Sequence, residues 1–480
     1  MDKIIVKKFN EVYNKIDSEP GIIMELAQKF TFEVPGAKFM PAVRNKVWDG
    51  KVRLLHPLIC LLYAGLNDYV EKFCQSRNYE YETEGLENDE EFSIHEAKKL
   101  IEKMTLTKEP RDYQIDAYVH AVRKRRALLL SPTASGKSLI IYMLTRHYAT
   151  NTLIIVPTTS LVHQMASDFV DYGLKGDIIH KIMGGIEKET NKPIVISTWQ
   201  SLFKLPKKWF DRFNLVIGDE AHLYKSKSLT TIMTNLTSCQ HRFGFTGTLD
   251  GALTNRMVLE GLFGPVRKVT TTSELMKKGT VAELRIKALV LKYSDDLRKE
   301  VSKMDYQGEL DFIVTNQARN KFIKNLVLSL TGNTIVFFNF VEKHGKVMHE
   351  MLKQEVGTRP LFFISGDVSA DKRESIRHAV ESSTDCIILA SSGTTSTGTN
   401  IINLQNIVFT SPSKSRIRNL QSIGRGLRKS GDKVSATLYD IADDLSWKSK
   451  KNHTILHFLE RIKIYSSESF DYKIYPIDLK

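Results

Sequence analysis

The chain has 480 residues, with 69 Lys plus Arg against 55 Asp plus Glu, a formal charge of +14. Apolar residues at 42% and charged residues at 26% are ordinary globular proportions, which exclude a disordered, collagen-like or fibrous chain and leave room for roughly two to four domains. The longest apolar stretch, Pro57 to Leu66, is too short to span a bilayer, the first residues lack a secretion-signal core, and Cys60, Cys74, Cys239 and Cys386 form no zinc or CxxC pattern, so a protein of a reducing, cytoplasmic compartment with no membrane partner is expected.

In chain order, residues 1–105 carry 15 bases and 18 acids, and the remainder 54 and 37, so the charge divides into −3 and +17. The first part reads as a small α+β domain. Thr31 to Phe39 reads as a hairpin around Pro35-Gly36. Lys46-Val47-Trp48 and Lys51-Val52-Arg53 flank Asp49-Gly50, a two-residue hairpin signal. Strand alternation would set Arg44, Lys46, Trp48, Lys51 and Arg53 on one face, a basic surface with an aromatic suited to nucleic acid. The run at 80–91 holds seven acids and no base and reads as a solvated connector or an acidic helix start. A boundary falls near Lys108-Glu109-Pro110.

From about residue 110, unalternated apolar runs alternate with helical patterns. Strands are expected at Leu128–Leu130, Thr152–Pro157, from Pro193, at Leu215–Asp219 and from His241. A second set begins at Asn333, Pro360, Asp385, Asn406 and Val434. Such runs belong to parallel sheets buried on both faces. The expected architecture is α/β: two doubly wound parallel-sheet lobes at 106–280 and 281–463, preceded by an accessory nucleic-acid-binding domain at 1–105 and followed by a tail at 464–480.

Strand Leu128–Leu130 runs into Ser131-Pro132-Thr133-Ala134-Ser135-Gly136-Lys137-Ser138 and then a helix, nearly G-x-x-x-x-G-K-[ST] with Ser131 at the first glycine. Backbone N–H groups of Thr133, Ser135 and Gly136 can cradle phosphates, Lys137 can reach the β- and γ-phosphates, and Ser138 can ligate Mg²⁺. The strand Leu215–Gly218 ends in Asp219-Glu220-Ala221-His222. Asp219 suits Mg²⁺, and Glu220 suits orienting and deprotonating an attacking water. Arg425 and Arg428, three apart in Gln421 to Arg428, share a helical face that suits a polyphosphate.

This ordered set resembles the DExH group of superfamily-two helicases. Arg111 to Gln114 is similar to the adenine-recognition motif, residues 131–138 to motif I, Pro157 to Gln164 to motif Ia, and Thr198-Trp199-Gln200 to the next nucleic-acid-contacting motif. Asp219 to His222 matches motif II, Thr246-Gly247-Thr248 motif III, Ile335 to Phe338 motif IV, Ser392 to Gly398 motif V, and Gln421 to Arg428 motif VI. The likeness to phage recombination helicases extends into Asn45 to Leu55, Asp168 to Tyr172, Lys204 to Phe210 and Asp443-Asp444. It implies two RecA-like lobes with ATP and Mg²⁺ as cofactors. Gln114 and Gly398 would join the nucleotide-binding residues, and Arg425 and Arg428 would act as arginine fingers. His222, Thr246, Thr248 and Gln421 would couple the sites, and Thr158, Thr198, Trp199, Gln200, Thr394 and Thr397 would grip nucleic acid. Asn400 stands where many relatives carry Asp. The implied activity is ATP-driven remodelling of branched DNA, single- or double-stranded, with RNA met in R-loops: Holliday-junction branch migration, fork regression and D-loop or R-loop unwinding. Recombination or single-strand-binding proteins would be partners in a phage-infected cell's cytoplasm. The alternatives are an RNA helicase, a duplex translocase of a restriction-type complex, or an annealing protein switched by ATP.

Overall fold

The computed structural model describes residues 2–34, 36–249, 252–392, 404–411 and 435–479. The chain divides into two compact units, Met1–Ser131 with Gly136–Thr270, and Pro132–Ser135 with Thr271–Lys480.

The first unit begins with β1 (Lys3–Lys8), β2 (Tyr13–Asp17), β3 (Thr31–Glu33), β4 (Lys51–Arg53), β5 (Leu61–Tyr63) and β6 (Glu80–Glu84). Four of them form a mixed sheet in the order β5-β2-β1-β6, while β3 and β4 pair separately. Ile4, Val6 and Ile16 alternate onto one face and pack with Leu26, Phe30, Val70 and Phe73, which come from or border two helices, Pro20–Lys29 and Asn67–Arg77. The acidic run is a strand in its first half and a solvent-exposed connector, Gly85 to Glu91, in its second; it is not a helix start. Its first residues are β6, parallel to β1, where Lys3 pairs with Glu82 at 2.5 Å and Lys7 with Glu84 at 3.5 Å. Its later acids meet bases on both sides: Glu87 pairs with Lys8, Asp89 with Lys124 and Glu90 with Arg125. Opposite charges across and beyond a strand pair allow an acidic segment to be ordered.

The expected basic hairpin is also corrected. Lys51–Arg53 pairs antiparallel with Thr31–Glu33, with Glu33 opposite Lys51, and not with Lys46–Trp48. Pro41 opens a short helix, Pro41–Arg44, as proline at a first helical position does, and Ala37–Phe39 is a single 3₁₀ turn rather than a returning strand. Arg44, Lys46, Trp48, Lys51 and Arg53 therefore do not line one strand face. The Trp48 indole donates to the Lys51 carbonyl, and Arg53 is held by Asp49.

The next sheet contains β7 (Arg126–Leu130), β8 (Thr152–Val156), β9 (Ile179–Ile182), β10 (Ile194–Thr198), β11 (Leu215–Gly218), β12 (His241–Thr246) and β13 (Val266–Lys268). It is parallel throughout, in the order β13-β7-β12-β11-β8-β10-β9. Both faces are cores. Along β8, Ile154 and Val156 join one cluster, while Leu153 and Ile155 join the other. That is why the strand reads as an unbroken apolar run. The N-terminal sheet domain is seated on this lobe: Met257 of helix Leu253–Phe263 enters its core, and Tyr69 donates to the buried Glu260 at 2.6 Å. Gly65 permits the contact, because a Cβ there would collide with the Glu260 carbonyl oxygen.

The second unit carries β14 (Glu283–Lys292), β15 (Thr334–Phe338), β16 (Leu361–Ile364), β17 (Ile387–Ser391), β18 (Asn406–Phe409), β19 (Ser435–Asp444) and β20 (Asp471–Asp478), again all parallel, ordered β16-β17-β15-β18-β19-β14-β20. The segment expected as a tail thus supplies an edge strand, in register with β14 from Arg285↔Asp471 to Lys292↔Asp478. Among the described residues no helix is long and apolar enough to cross a membrane.

One buried ion pair ties this unit together across 124 residues. Arg319 Nε lies 2.7 Å from Asp443 Oδ1, both side chains are fully buried, and the Tyr293 hydroxyl donates to the same carboxylate at 2.7 Å. Asp443→Ala would strand the guanidinium in the core, and it is expected to lower the unfolding free energy of this unit by about 3–5 kcal/mol in urea titrations. Replacing both partners, Arg319→Met with Asp443→Leu, is expected to cost clearly less.

Candidate nucleotide and nucleic-acid site

Parallel α/β sheets present ligand-binding groups at the carboxyl ends of their strands, where loops leave for the next helix. The loop Ser131–Gly136 leaves β7, and helix Lys137–Tyr148 starts immediately after it. Gly136 has φ +75°, and a Cβ would collide with Gln114 Nε2, so both backbone and space demand glycine. Gln114 is buried. Its Nε2 donates to the Gly136 carbonyl at 3.2 Å, and its Oε1 accepts from the Arg111 backbone N–H at 2.8 Å. The adenine-motif glutamine is thus tied directly to the phosphate loop. Ser135 is buried and donates to the Pro132 carbonyl within that loop, of which Thr133 is also part.

Asp219 and Glu220 follow β11, separated from β7 by β12 alone. Lys137 Nζ lies 3.5 Å from Asp219 Oδ1 and 3.5 Å from Glu220 Oε1. Burial works against the lysine's charge, yet the two carboxylates outweigh it and hold the ammonium above its ordinary range. Burial pushes Asp219 upward. Glu220 goes the other way: against burial, Lys137 and then His222 draw its carboxyl down to about 2. Glu220 also adopts a left-handed backbone, φ 48° and ψ 51°, a conformation that costs a non-glycine residue on the order of 1–3 kcal/mol and that clusters at functional sites.

His222 Nδ1 is 3.0 Å from Thr246 Oγ1. That hydroxyl donates to the Thr248 carbonyl at 2.9 Å, so it accepts from the imidazole and the ring proton sits on Nδ1. Glu220 Oε2 is 3.3 Å from the same nitrogen, close enough for the imidazole to favour the ionised carboxylate. The two motifs are therefore joined through buried side chains. The Thr248 hydroxyl is buried and has no hydrogen-bond partner among the described residues.

The expected nucleic-acid contacts of this lobe lie on the same edge, farther along. Thr158 follows β8 and caps helix Thr159–Asp171 by accepting from the Leu161 N–H. Thr198 ends the neighbouring β10 and shares a hydrogen bond with Ser201. Trp199 is half-buried against Phe203, and Gln200 is exposed. Thr394, Thr397, Gly398, Asn400, Gln421, Arg425 and Arg428 lie outside the described residues.

One contact escapes sequence reading. The Tyr172 hydroxyl, at the end of the helix that Thr158 caps, lies 2.8 Å from Ser138 Oγ, and the Lys108 ammonium sits 5.4 Å from the Tyr172 ring centroid. The partners are 34 residues apart in chain, and no local pattern marks the pair. The donor set of Ser138 and Asp219 is hard oxygen, which suits Mg²⁺. Among the described residues no group of three or more His, Cys, Asp or Glu could hold a metal by itself, in keeping with an ion that takes one or two protein ligands and substrate phosphates.

The phosphate loop, the acidic strand end and the parallel sheets define a P-loop ATPase of superfamily two built from RecA-like lobes. Comparisons with known proteins resolve the family. Residues 3–84 match the family described as DNA helicase UvsW, N-terminal; residues 107–251 match the type III restriction enzyme res subunit family; and residues 318–430 match the helicase conserved C-terminal domain. The chain is 36% identical to the ATP-dependent DNA helicase uvsW of Enterobacteria phage T4, over 97% of each chain. It is 28% identical over 40% of its length to the DNA 3'-5' translocase XPB2 of Sulfurisphaera tokodaii, covering 42% of that protein. The crystal structure of T4 UvsW superposes over 100% of both chains with a TM-score of 0.53 at 33% identity. The chain belongs to the UvsW family, and it is an ATP-dependent DNA helicase.

Gly136→Ala tests the loop geometry. The strained φ and the clash with Gln114 are expected to lower ATP hydrolysis by about ten- to a hundredfold and to lower the melting temperature by a few degrees, about 2–4 °C for each kcal/mol of strain. Initial rates under saturating DNA check it.

Proposed function

We propose that this helicase remodels branched DNA in phage recombination, replication and repair: Holliday-junction branch migration, fork regression and unwinding of D-loops and R-loops, with RNA met only in the last. The observation that carries this reading is the likeness to T4 UvsW along the whole chain, the small N-terminal domain included. That domain is the part a bare pair of RecA-like lobes lacks. Action in the host cytoplasm, and partnership with recombination or single-strand-binding proteins, belong to the same proposal.

In this reading Mg²⁺ binds with ATP, held by the Ser138 hydroxyl and the Asp219 carboxylate, and supplies charge neutralisation at the phosphates. Thr133, Ser135 and Gly136 offer the loop's backbone N–H groups, Gln114 reads adenine, and Lys137 moves from the carboxylates to the β- and γ-phosphates. Glu220 then loses its nearest cation. Its carboxylate, released from Lys137, is then free to orient and deprotonate a water. The motifs that Arg425, Arg428 and Gly398 match assign the two arginines to the γ-phosphate and Gly398 to nucleotide binding. His222, Thr246, Thr248 and Gln421 carry the change toward the strand-gripping residues Thr158, Thr198, Trp199, Gln200, Thr394 and Thr397. Arg44, Lys46, Lys51 and Arg53 add a second contact from the N-terminal domain.

Glu220→Gln is expected to retain ATP binding and lose hydrolysis by about 10²- to 10⁴-fold; normal turnover in a malachite-green assay would remove the base assignment. ATP hydrolysis with single-stranded DNA, duplex, fork, four-way junction and RNA in turn is expected to be highest with the branched DNAs. An equal response across all five would overturn the branched-DNA reading.

A further inference from the structure

Strands β3 and β4 pair residue for residue, yet residues 34–50 stand between them. Hairpin connections usually take about 2–5 residues, and connections beyond about 12–15 are commonly functional. This excursion is also internally fixed. The Val34 N–H donates to the Gly50 carbonyl at 2.9 Å, Val47 and Trp48 N–H groups donate to the Ala42 carbonyl at 2.9 and 3.1 Å, and buried Ala37 lies beneath Gly50. It is a built knob.

Its outward side chains are unusual for a solvated surface. Phe39 is 72% exposed, Val47 81% and Met40 42%. Between Gly36 and Trp48 there are three cations, Lys38, Arg44 and Lys46, and no acid. All three cations are exposed and make no ion pair among the described residues. The Lys38 ammonium lies 5.1 Å from the Phe39 ring centroid. Trp48, by contrast, has its indole N–H committed to the chain's own backbone.

We propose that this knob contacts unpaired bases at a DNA branch point, with Phe39 and Val47 against base faces and Lys38, Arg44 and Lys46 on the flanking phosphates. The proposal rests on the branched-DNA reading and deepens it. The charge selects a polyanion. The apolar residues select among polyanions: a duplex keeps its base faces stacked inside, so an aromatic and an aliphatic side chain find an apolar counterpart only where bases are unpaired.

The test uses the full chain without nucleotide and measures affinity for a fluorescent fork with unpaired arms and for a blunt duplex of equal length. For Phe39→Ser with Val47→Ser, fork affinity is expected to fall about tenfold while duplex affinity stays within about twofold. For Lys38→Ala with Arg44→Ala and Lys46→Ala, both affinities fall, and the log–log salt slope drops by roughly 0.9 per lost phosphate contact. All five positions are exposed, so melting curves should coincide with wild type. A fork preference that survives in the apolar variant, or equal loss on fork and duplex, would overturn the knob proposal alone; the former result is also expected if the surface serves a protein partner. A wild-type protein that does not distinguish fork from duplex would overturn the branched-DNA reading beneath it.

Discussion

Lys137, Asp219 and Glu220 place one ammonium between two carboxylates at the carboxyl edge of a parallel sheet, all three largely shielded from water. The net charge of this cluster is −1, and each member is costly to bury alone. The arrangement is satisfied without ligand, but only just: the lysine answers two acids. In the proposed mechanism a nucleotide draws Lys137 away, Mg²⁺ arrives with it to compensate the carboxylates, and Glu220 serves as the base. The sheet's strand order, the glycine at 136 and the left-handed backbone at Glu220 all serve to keep these three groups within reach of one another.

Along that edge the strand order separates two kinds of chemistry. Beyond β7 and β11 are charged groups suited to phosphoanhydride and metal; beyond β8 and β10 are the hydroxyls of Thr158 and Thr198, suited to a sugar–phosphate backbone. β11 and β8 are hydrogen-bonded neighbours, so the two regions share a rigid border. The buried line from Glu220 past His222 to Thr246 and Thr248 ties strand end to strand end on the other side.

What could be read from the sequence, and what could not, follows from the range of the forces involved. The phosphate loop and Asp219–His222 were legible because catalytic groups must sit where a buried strand ends, and buried strands announce themselves as unbroken apolar runs. The Asp49-Gly50 signal misled because a turn preference is worth little beside pairing and packing: β4 takes Thr31–Glu33 as its partner, and Gly50 is needed for its fit over Ala37. The strand within the acidic run was missed for the opposite reason, since the run's cations lie on β1 and near residue 124, distant in sequence but close in space. Tyr172 beside Ser138, and β20 beside β14, likewise join segments that no local period connects.

The formal charge of +14 takes on a different meaning once its pairing is known. The N-terminal domain averages to slightly negative, and several of its acids pair with β1 cations and with lobe residues such as Lys124 and Arg125. Lys38, Arg44 and Lys46 in the excursion between β3 and β4 make no ion pair among the described residues. An average charge cannot distinguish a neutral surface from one where opposite charges have been sorted onto different faces. The excursion that holds these three cations also carries exposed Phe39 and Val47. In the proposal for this excursion, a ligand that supplies both negative charge and an apolar face matches it on both counts.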